Sequence, residues 1–112
     1  MRRLFHLPLS PFSRKVRLVL GEKRIETELV EELPWDRRID FLRLNPAGEV
    51  PVFIDEDGRT IADSNAICEY LEEIGPSPQL LPSDSIDRAE ARRLVGWFDS
   101  KFHREVTVNL VY

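Results

Sequence analysis

Apolar positions along the chain change period several times, and each change predicts an element. Arg2 to His6 is a short run before Pro8 and predicts a strand, with Leu7 to Ser10 as the connecting loop. From Pro11 the spacing lengthens. Phe12, Val16, Val19 and Leu20 recur at helical intervals, while Arg14, Lys15, Arg17 and Glu22 supply the wet side. Proline suits a first helical turn, where its missing N–H costs nothing, and Ser10 before it is placed to cap the helix. Gly21 is expected to weaken the helix end.

Glu26 to Val30 reads as a second strand, Pro34 and Trp35 as loop, and Arg37 to Leu44 as a helix with Ile39 and Leu42 on one side. Asn45-Pro46-Ala47-Gly48 stops that helix, because a residue before proline avoids helical backbone angles. Val50 to Ile54 is the next strand, Asp57-Gly58 a tight turn and Thr60 to Ala62 the returning strand. Asp63-Ser64-Asn65 opens a helix carried by Ile67, Tyr70, Leu71 and Ile74 and ended by Gly75-Pro76. Ser77 to Ser85 is a linker. From Ile86 a new amphipathic pattern holds Leu94, Trp97, Phe98, Phe102, Val106 and Leu110, with no stop signal before Tyr112. The order β-α-β-α-β-β-α predicts an α/β fold with a mixed four-stranded sheet over residues 1–76. A linker over 77–85 and the start of a helical domain over 86–112 follow. The apolar face of that last helix needs a covering partner, either further chain or a second subunit.

Composition narrows the function classes. The 112 residues suit one modest core, and 42% hydrophobic with 32% charged residues describes a folded globular chain. The net charge is −4, and Lys and Arg are scattered apart from pairs such as Arg37-Arg38 and Arg92-Arg93, which argues against a nucleic-acid partner. The single cysteine, Cys68, excludes an internal disulfide and is expected to be a buried, inert thiol. His6 and His103 lack partners at metal-ligand spacing, so no metal is expected. No run approaches the ~20 apolar residues of a membrane span, and no signal peptide is recognisable at the N-terminus. A cytoplasmic setting and no membrane partner are the expectation.

Three motifs sit on this framework in order: Ser10-Pro11-Phe12-Ser13 at the first strand-to-helix turn, Asn45-Pro46-Ala47-Gly48-Glu49-Val50-Pro51-Val52 before the hairpin, and Asp63-Ser64 opening the helix after it. Together they resemble the soluble glutathione transferases, in the thioredoxin-like N-terminal domain, over residues 1 to about 80, with the linker and last helix also fitting in position.

The resemblance implies a cis Val50–Pro51 bond that turns the Val50 N–H and C=O outward, so that the cysteinyl part of glutathione pairs there like an added strand. Asp63 and Ser64, at a helix N-terminus that favours an anion, would hold the γ-glutamyl end: Ser64 the carboxylate, Asp63 the ammonium. Taken alone, Asp63 is better explained as a plain N-cap worth ~1 kcal/mol, a role compatible with binding. Phe12 and Glu49 fall among the binding positions, although Glu49 puts an acid where several relatives carry a basic or amide residue. Trp35, Arg37 and Arg38 lie where the family approaches the glycyl end, and the two arginines read as a solvated pair. Ser10 takes the place of the catalytic hydroxyl or thiol. Its O–H, with the helix dipole, would stabilise the ligand's thiolate. A cap role for Ser10 is as probable on local grounds, and Ser13 is the runner-up for the thiol contact. Serine at both positions excludes thiol–disulfide exchange at this turn.

The implied activity is conjugation of the glutathione thiolate to an electrophilic small molecule, in a homodimer, with glutathione as co-substrate and no metal. Two rivals stand beside it. One is another glutathione-dependent reaction on the same scaffold: isomerisation, dehalogenation or ether cleavage. The other is a non-catalytic interaction module that keeps the fold.

Overall fold

A computed structural model of the protein describes residues 1–107, with the side chains of 102, 106 and 107 left aside. The chain divides into two compact units, Met1–Pro78 and the segment from Gln79 on.

In the first unit, β1 (Arg3–His6) leads to α1 (Pro11–Glu22) and β2 (Glu28–Glu31). A short 3-10 turn (Pro34–Asp36) and α2 (Ile39–Leu44) follow, then β3 (Val52–Ile54), β4 (Thr60–Ala62) and α3 (Ser64–Ile74). The four strands form one mixed sheet in the order β2-β1-β3-β4. β1 runs parallel to β2, with Leu4 opposite Leu29 and His6 opposite Glu31. It runs antiparallel to β3, with Phe5 opposite Val52, and β4 returns antiparallel with Ala62 opposite Val52.

Alternation along the strands builds two cores. Leu4 and Phe53 pack with Val16 and Leu20 of α1 and Ile67 and Leu71 of α3 on one face. Phe5, Val52 and Ile54 turn to the other face and meet Phe41 of α2, the Phe5 and Phe41 ring centroids 5.9 Å apart. Each fully buried side chain of this size contributes roughly 1.5–3 kcal/mol relative to exposure.

Several predicted details are corrected. The second helix starts at Ile39 rather than Arg37, because the 3-10 turn ends with Arg37 left-handed (φ 48°) and Arg38 extended. Its buried residue is Phe41, with Ile39 exposed, so the face named from Ile39 and Leu42 is not the one that packs. β2 begins at Glu28 rather than Glu26, and β3 begins after Pro51, which has no N–H to give a ladder. α1 ends at Glu22, one residue past Gly21. Cys68 is half-buried at the edge of the α1–α3 core rather than enclosed by it, and Ile74 is exposed. At Gly75 the chain leaves α3 with extended backbone (ψ 161°), and the position has no room for a side chain. A Cβ there would stand 2.4 Å from the Leu71 carbonyl oxygen and 2.8 Å from Lys23 Cδ.

In the second unit, α4 (Ser85–Trp97) starts one residue before the predicted Ile86. Asp84 caps it, accepting from the Ile86 and Asp87 amides at 3.2 and 3.1 Å. It continues as π-helical backbone over Phe98–Thr107. Ile86, Leu94, Trp97 and Phe98 are exposed. The predicted apolar roles of Phe102 and Val106 rest on side chains left aside, and that of Leu110 falls outside the described residues.

Candidate functional site

Strand register places the three motifs at one end of the sheet. Phe5 is opposite Val52, so the chain leaving β1 toward Ser10 and the Val50–Pro51 step entering β3 lie at the same edge. Val52 is opposite Ala62, so Asp63 and Ser64 leave β4 at that edge too. α1 and α3 start from it side by side, joined near their N-termini by a bond from the Lys15 ammonium to the Asn65 side-chain oxygen.

At the start of α1, Ser10 is extended (φ −71°, ψ 125°), and its Oγ accepts from the Ser13 amide at 3.3 Å. The cap is therefore real, and it leaves the Ser10 hydroxyl hydrogen unspent by that bond. The loop before it is tied down locally. The Ser10 N–H donates to the Leu7 carbonyl at 3.0 Å, and Ser13 Oγ accepts from the Leu7 amide at 3.2 Å. Further along the helix, an Arg17 terminal nitrogen donates to the Pro8 carbonyl at 2.9 Å. Both serines are buried, Ser10 at 3% exposure and Ser13 with none. Phe12 is half-buried on the same turn.

The Val50–Pro51 bond is cis. Asn45 shapes the approach to it. Its side-chain amide donates to the Glu49 carbonyl at 2.9 Å, its side-chain oxygen accepts from the Ala47 amide at 3.2 Å, and its own carbonyl accepts from the Gly48 amide at 2.9 Å. Gly48 adopts φ +71°, and a Cβ there would press on Leu42 Cδ2 at 3.1 Å. Pro51 is buried, Val50 half-buried and the Glu49 side chain exposed. Among the described residues, neither the N–H nor the C=O of Val50 takes a hydrogen bond. An unpaired donor and acceptor on one residue can receive an extended peptide as an added strand.

Asp63 caps α3, its Oδ2 accepting from the Ala66 amide at 3.2 Å, and does so at φ 78°, ψ 125°. That backbone region is costly for a residue with a Cβ and recurs at functional positions. Ser64 is buried as the first residue of α3, where backbone N–H groups lack intrahelical partners and favour an anion.

The arginines at the turn after β2 do not form a free pair. Arg38 grips the buried Glu32 carboxylate through Nε at 3.0 and 3.2 Å and a terminal nitrogen at 2.6 Å. This hydrogen bond, then the opposite charge, raises Arg38 above its ordinary value. Glu32 in turn donates its amide to the His6 carbonyl at 2.9 Å. His6 is buried at the end of β1 with its Nδ1 unpartnered among the described residues. Burial, then the charge of Arg17, hold its imidazole below the ordinary range against an opposing pull from Glu31. Sequence reasoning missed the Arg17–Pro8, Lys15–Asn65 and Arg38–Glu32 contacts. The recurrence of Ser10, Ser13 and Arg17 at i, i+3 and i+7 is the signal that one polar stripe of α1 faces this loop.

No group of three or more His, Cys, Asp or Glu positioned to hold a metal occurs among the described residues. No helix among them is long and apolar enough to cross a membrane.

A mixed sheet flanked by α1 and α3 on one face and α2 on the other, with a cis-proline before the third strand, defines a thioredoxin-like domain. Residues 9–74 match the glutathione S-transferase N-terminal domain family, and the chain belongs to that family. A glutathione S-transferase from Rhodospirillum rubrum F11 superposes with a TM-score of 0.96 at 58% identity, covering 99% of this chain and 50% of that one. FtsZ-localized protein A of Caulobacter vibrioides is 43% identical over 99% of this chain and 50% of its own length. A glutathione S-transferase from Methylobacillus flagellatus, solved with GSH bound, superposes with a TM-score of 0.81 at 35% identity over 88% of this chain and 49% of that one. The chain thus spans about half the length of these relatives.

Proposed function

We propose that this domain binds glutathione along the Val50 edge and that, within the complete protein, it presents the thiolate to an electrophilic carbon of a second small molecule. The observation that carries this reading is the unpaired backbone of Val50, at the end of the sheet shared by the capping hydroxyl of Ser10 and the first turn of α3. The cysteinyl backbone pairs with Val50, the γ-glutamyl carboxylate rests on the Ser64 amide and hydroxyl, and the ammonium meets Asp63. The sulfur then lies beside Ser10. A hydroxyl donor and a helix N-terminus stabilise a thiolate relative to the thiol, raising the nucleophile's population near neutral pH. Ser10 forms no covalent bond. Fixing the thiolate against the electrophile supplies the rest of the rate. Glu49 and Phe12 flank the groove.

The working unit we propose is a cytoplasmic homodimer, a reading supported by the family and by the apolar side chains exposed on α4.

The experiment is an ultraviolet titration of glutathione in the presence of the protein. The expected result is saturable binding with a thiolate band that persists below the free thiol's titration range. Absence of binding by folded protein removes the reading. A second reading, a glutathione-transferase-like interaction module, is favoured by the similarity to FtsZ-localized protein A. It gains if the folded chain, and the complete protein containing it, ignore glutathione.

A further inference from the structure

We propose that Arg17 is a positioning residue for the Ser10 hydroxyl, acting through the loop that Ser10 terminates. The inference rests on the glutathione-thiolate reading above.

Pro8 and Leu9 have little packing to hold them, since both are exposed, Leu9 at 76%. Hydrogen bonds set the loop's course instead. Two of them are local. The Ser10 amide to the Leu7 carbonyl closes a tight turn, and the Leu7 amide to Ser13 Oγ pins the turn's first residue to the helix. Both bear on Leu7, the first tying Ser10 to it, and neither holds the Pro8–Leu9 tip itself. The third comes from further along α1. Arg17, two turns beyond Ser10, reaches back across nine residues to the Pro8 carbonyl at 2.9 Å. Pro8 has no N–H of its own, so its carbonyl is the backbone handle it offers.

Fixing Leu7 and Pro8 together fixes the direction in which the chain enters Ser10. That direction decides how squarely the Ser10 hydroxyl faces a sulfur held by Val50. Hydrogen-bond strength falls steeply as the donor angle closes, so a modest swing of the loop costs thiolate stabilisation before it costs binding. Most of the ligand's contacts, on Val50, Ser64 and Asp63, do not pass through the loop. Arg17 is therefore expected to affect ionisation of the bound thiol and to leave affinity nearly intact. Its Nε is buried and without a partner among the described residues. The guanidinium's anchoring to backbone is therefore the Pro8 contact, and a side chain that donates a single bond from its end should suffice.

The test uses the whole chain and glutathione itself. In Arg17→Met the titration midpoint of the bound thiol should rise by about one pH unit, a tenfold loss of thiolate below the midpoint, with the glutathione Kd within about twofold of wild type. Arg17→Lys, which keeps a donor, should stay near wild type. Ser10→Ala should raise the midpoint too, and Ser10→Ala combined with Arg17→Met should add nothing further, because the arginine acts only through the serine. Exchange of the Ser10 amide hydrogen, read without ligand, should quicken in Arg17→Met. An unchanged midpoint in Arg17→Met, or an additive double variant, overturns the proposal. Wild type that binds glutathione without lowering its thiol midpoint overturns instead the reading on which the proposal rests.

Discussion

The ammonium of Lys23, at the end of α1, is buried 3.0 Å from the Glu72 carboxylate of α3. The same Nζ donates to the Pro76 and Pro78 carbonyls at 3.2 and 3.0 Å. A lysine ammonium has three hydrogens, and these contacts use all three. A positive charge there also faces the negative end of α3. The contact joins the two helices that carry Ser10 and Ser64 at their far ends, while Lys15 and Asn65 join them at the site.

Removing Lys23 takes a buried ammonium away from the Glu72 carboxylate and from the two carbonyls it serves. Lys23→Met should destabilise the fold by roughly 3–5 kcal/mol, read as a lower urea midpoint at unchanged slope. Lys23→Met combined with Glu72→Met removes both charges and should recover much of the loss, leaving the two carbonyls to water. A Lys23→Met midpoint equal to wild type would mean that solvent substitutes freely for the ammonium.

Ser10 and Ser13 exchange different bonds, so their alanine variants should separate. Ser10→Ala removes the cap, about 1 kcal/mol, and the proposed thiolate donor. Ser10→Gly keeps most of the cap energy, since glycine costs only a few tenths at this position, yet loses the same donor. Both should raise the bound thiol's titration midpoint equally while differing in stability. Ser13→Ala strips the Leu7 amide of its acceptor and should cost about 1–3 kcal/mol. The check is a pair of measurements on each variant, urea unfolding and thiol absorbance. A midpoint that rises only in Ser13→Ala would transfer the thiol contact to Ser13.

Much of the fold was readable from spacing alone. Leu4 and Phe5 fall on opposite faces because strands alternate, and Ile67 and Leu71 share a face because helices repeat every 3.6 residues. α2 was misread for the same kind of reason. Six residues are too few to fix a helical phase, so Ile39 and Leu42 looked as good as Phe41. The order of the motifs pointed to the site, but the contacts around it came from side chains with long reach. Lys23, Arg17 and Arg38 lie where charged residues are normally solvated, and only the fold brings Glu72, Pro8 and Glu32 within their range. Cys68 looked enclosed because its neighbours Ile67 and Leu71 are. Yet it lies one step off their stripe, at the margin of the core.

Asp63 holds two roles that one substitution can part. Its φ of 78° suits glycine better than any residue with a Cβ. Asp63→Gly should therefore relieve backbone strain while losing only a few tenths of a kcal/mol of capping, and leave stability equal to wild type or higher. If the carboxylate meets the ligand's ammonium, glutathione affinity should still fall about tenfold, the size expected for a partly exposed charged contact. Asp63→Ala should lose in both respects. Calorimetric titration beside thermal unfolding reads the two effects. Full affinity in Asp63→Gly would reduce Asp63 to a cap.

The imidazole of His6 gives the fold a pH dependence whose sign can be worked out. Burial, then the Arg17 charge, lower its affinity for a proton in the folded chain, while the unfolded chain keeps the ordinary value of 6.5. Below that value the unfolded state binds more protons than the folded one, so stability falls as pH falls, by at most about 1.4 kcal/mol per pH unit for one group. The contribution is whole above 6.5 and diminishes down to the folded midpoint. Asp55 acts lower. Its burial works to raise it, but hydrogen bonds from the Tyr70 hydroxyl, the Glu56 amide and Arg2 prevail and hold it below its ordinary 3.8. Its stabilisation is complete above that value and is lost only as pH drops beneath it. A difference curve between wild type and His6→Phe, measured by urea unfolding from pH 7.5 to 5, therefore isolates His6, because every other group is common to both chains. The expected curve is flat above about pH 7 and then shifts steadily in favour of His6→Phe on acidification. A difference curve flat down to pH 5 would show that the imidazole accepts its proton in the fold as readily as in water.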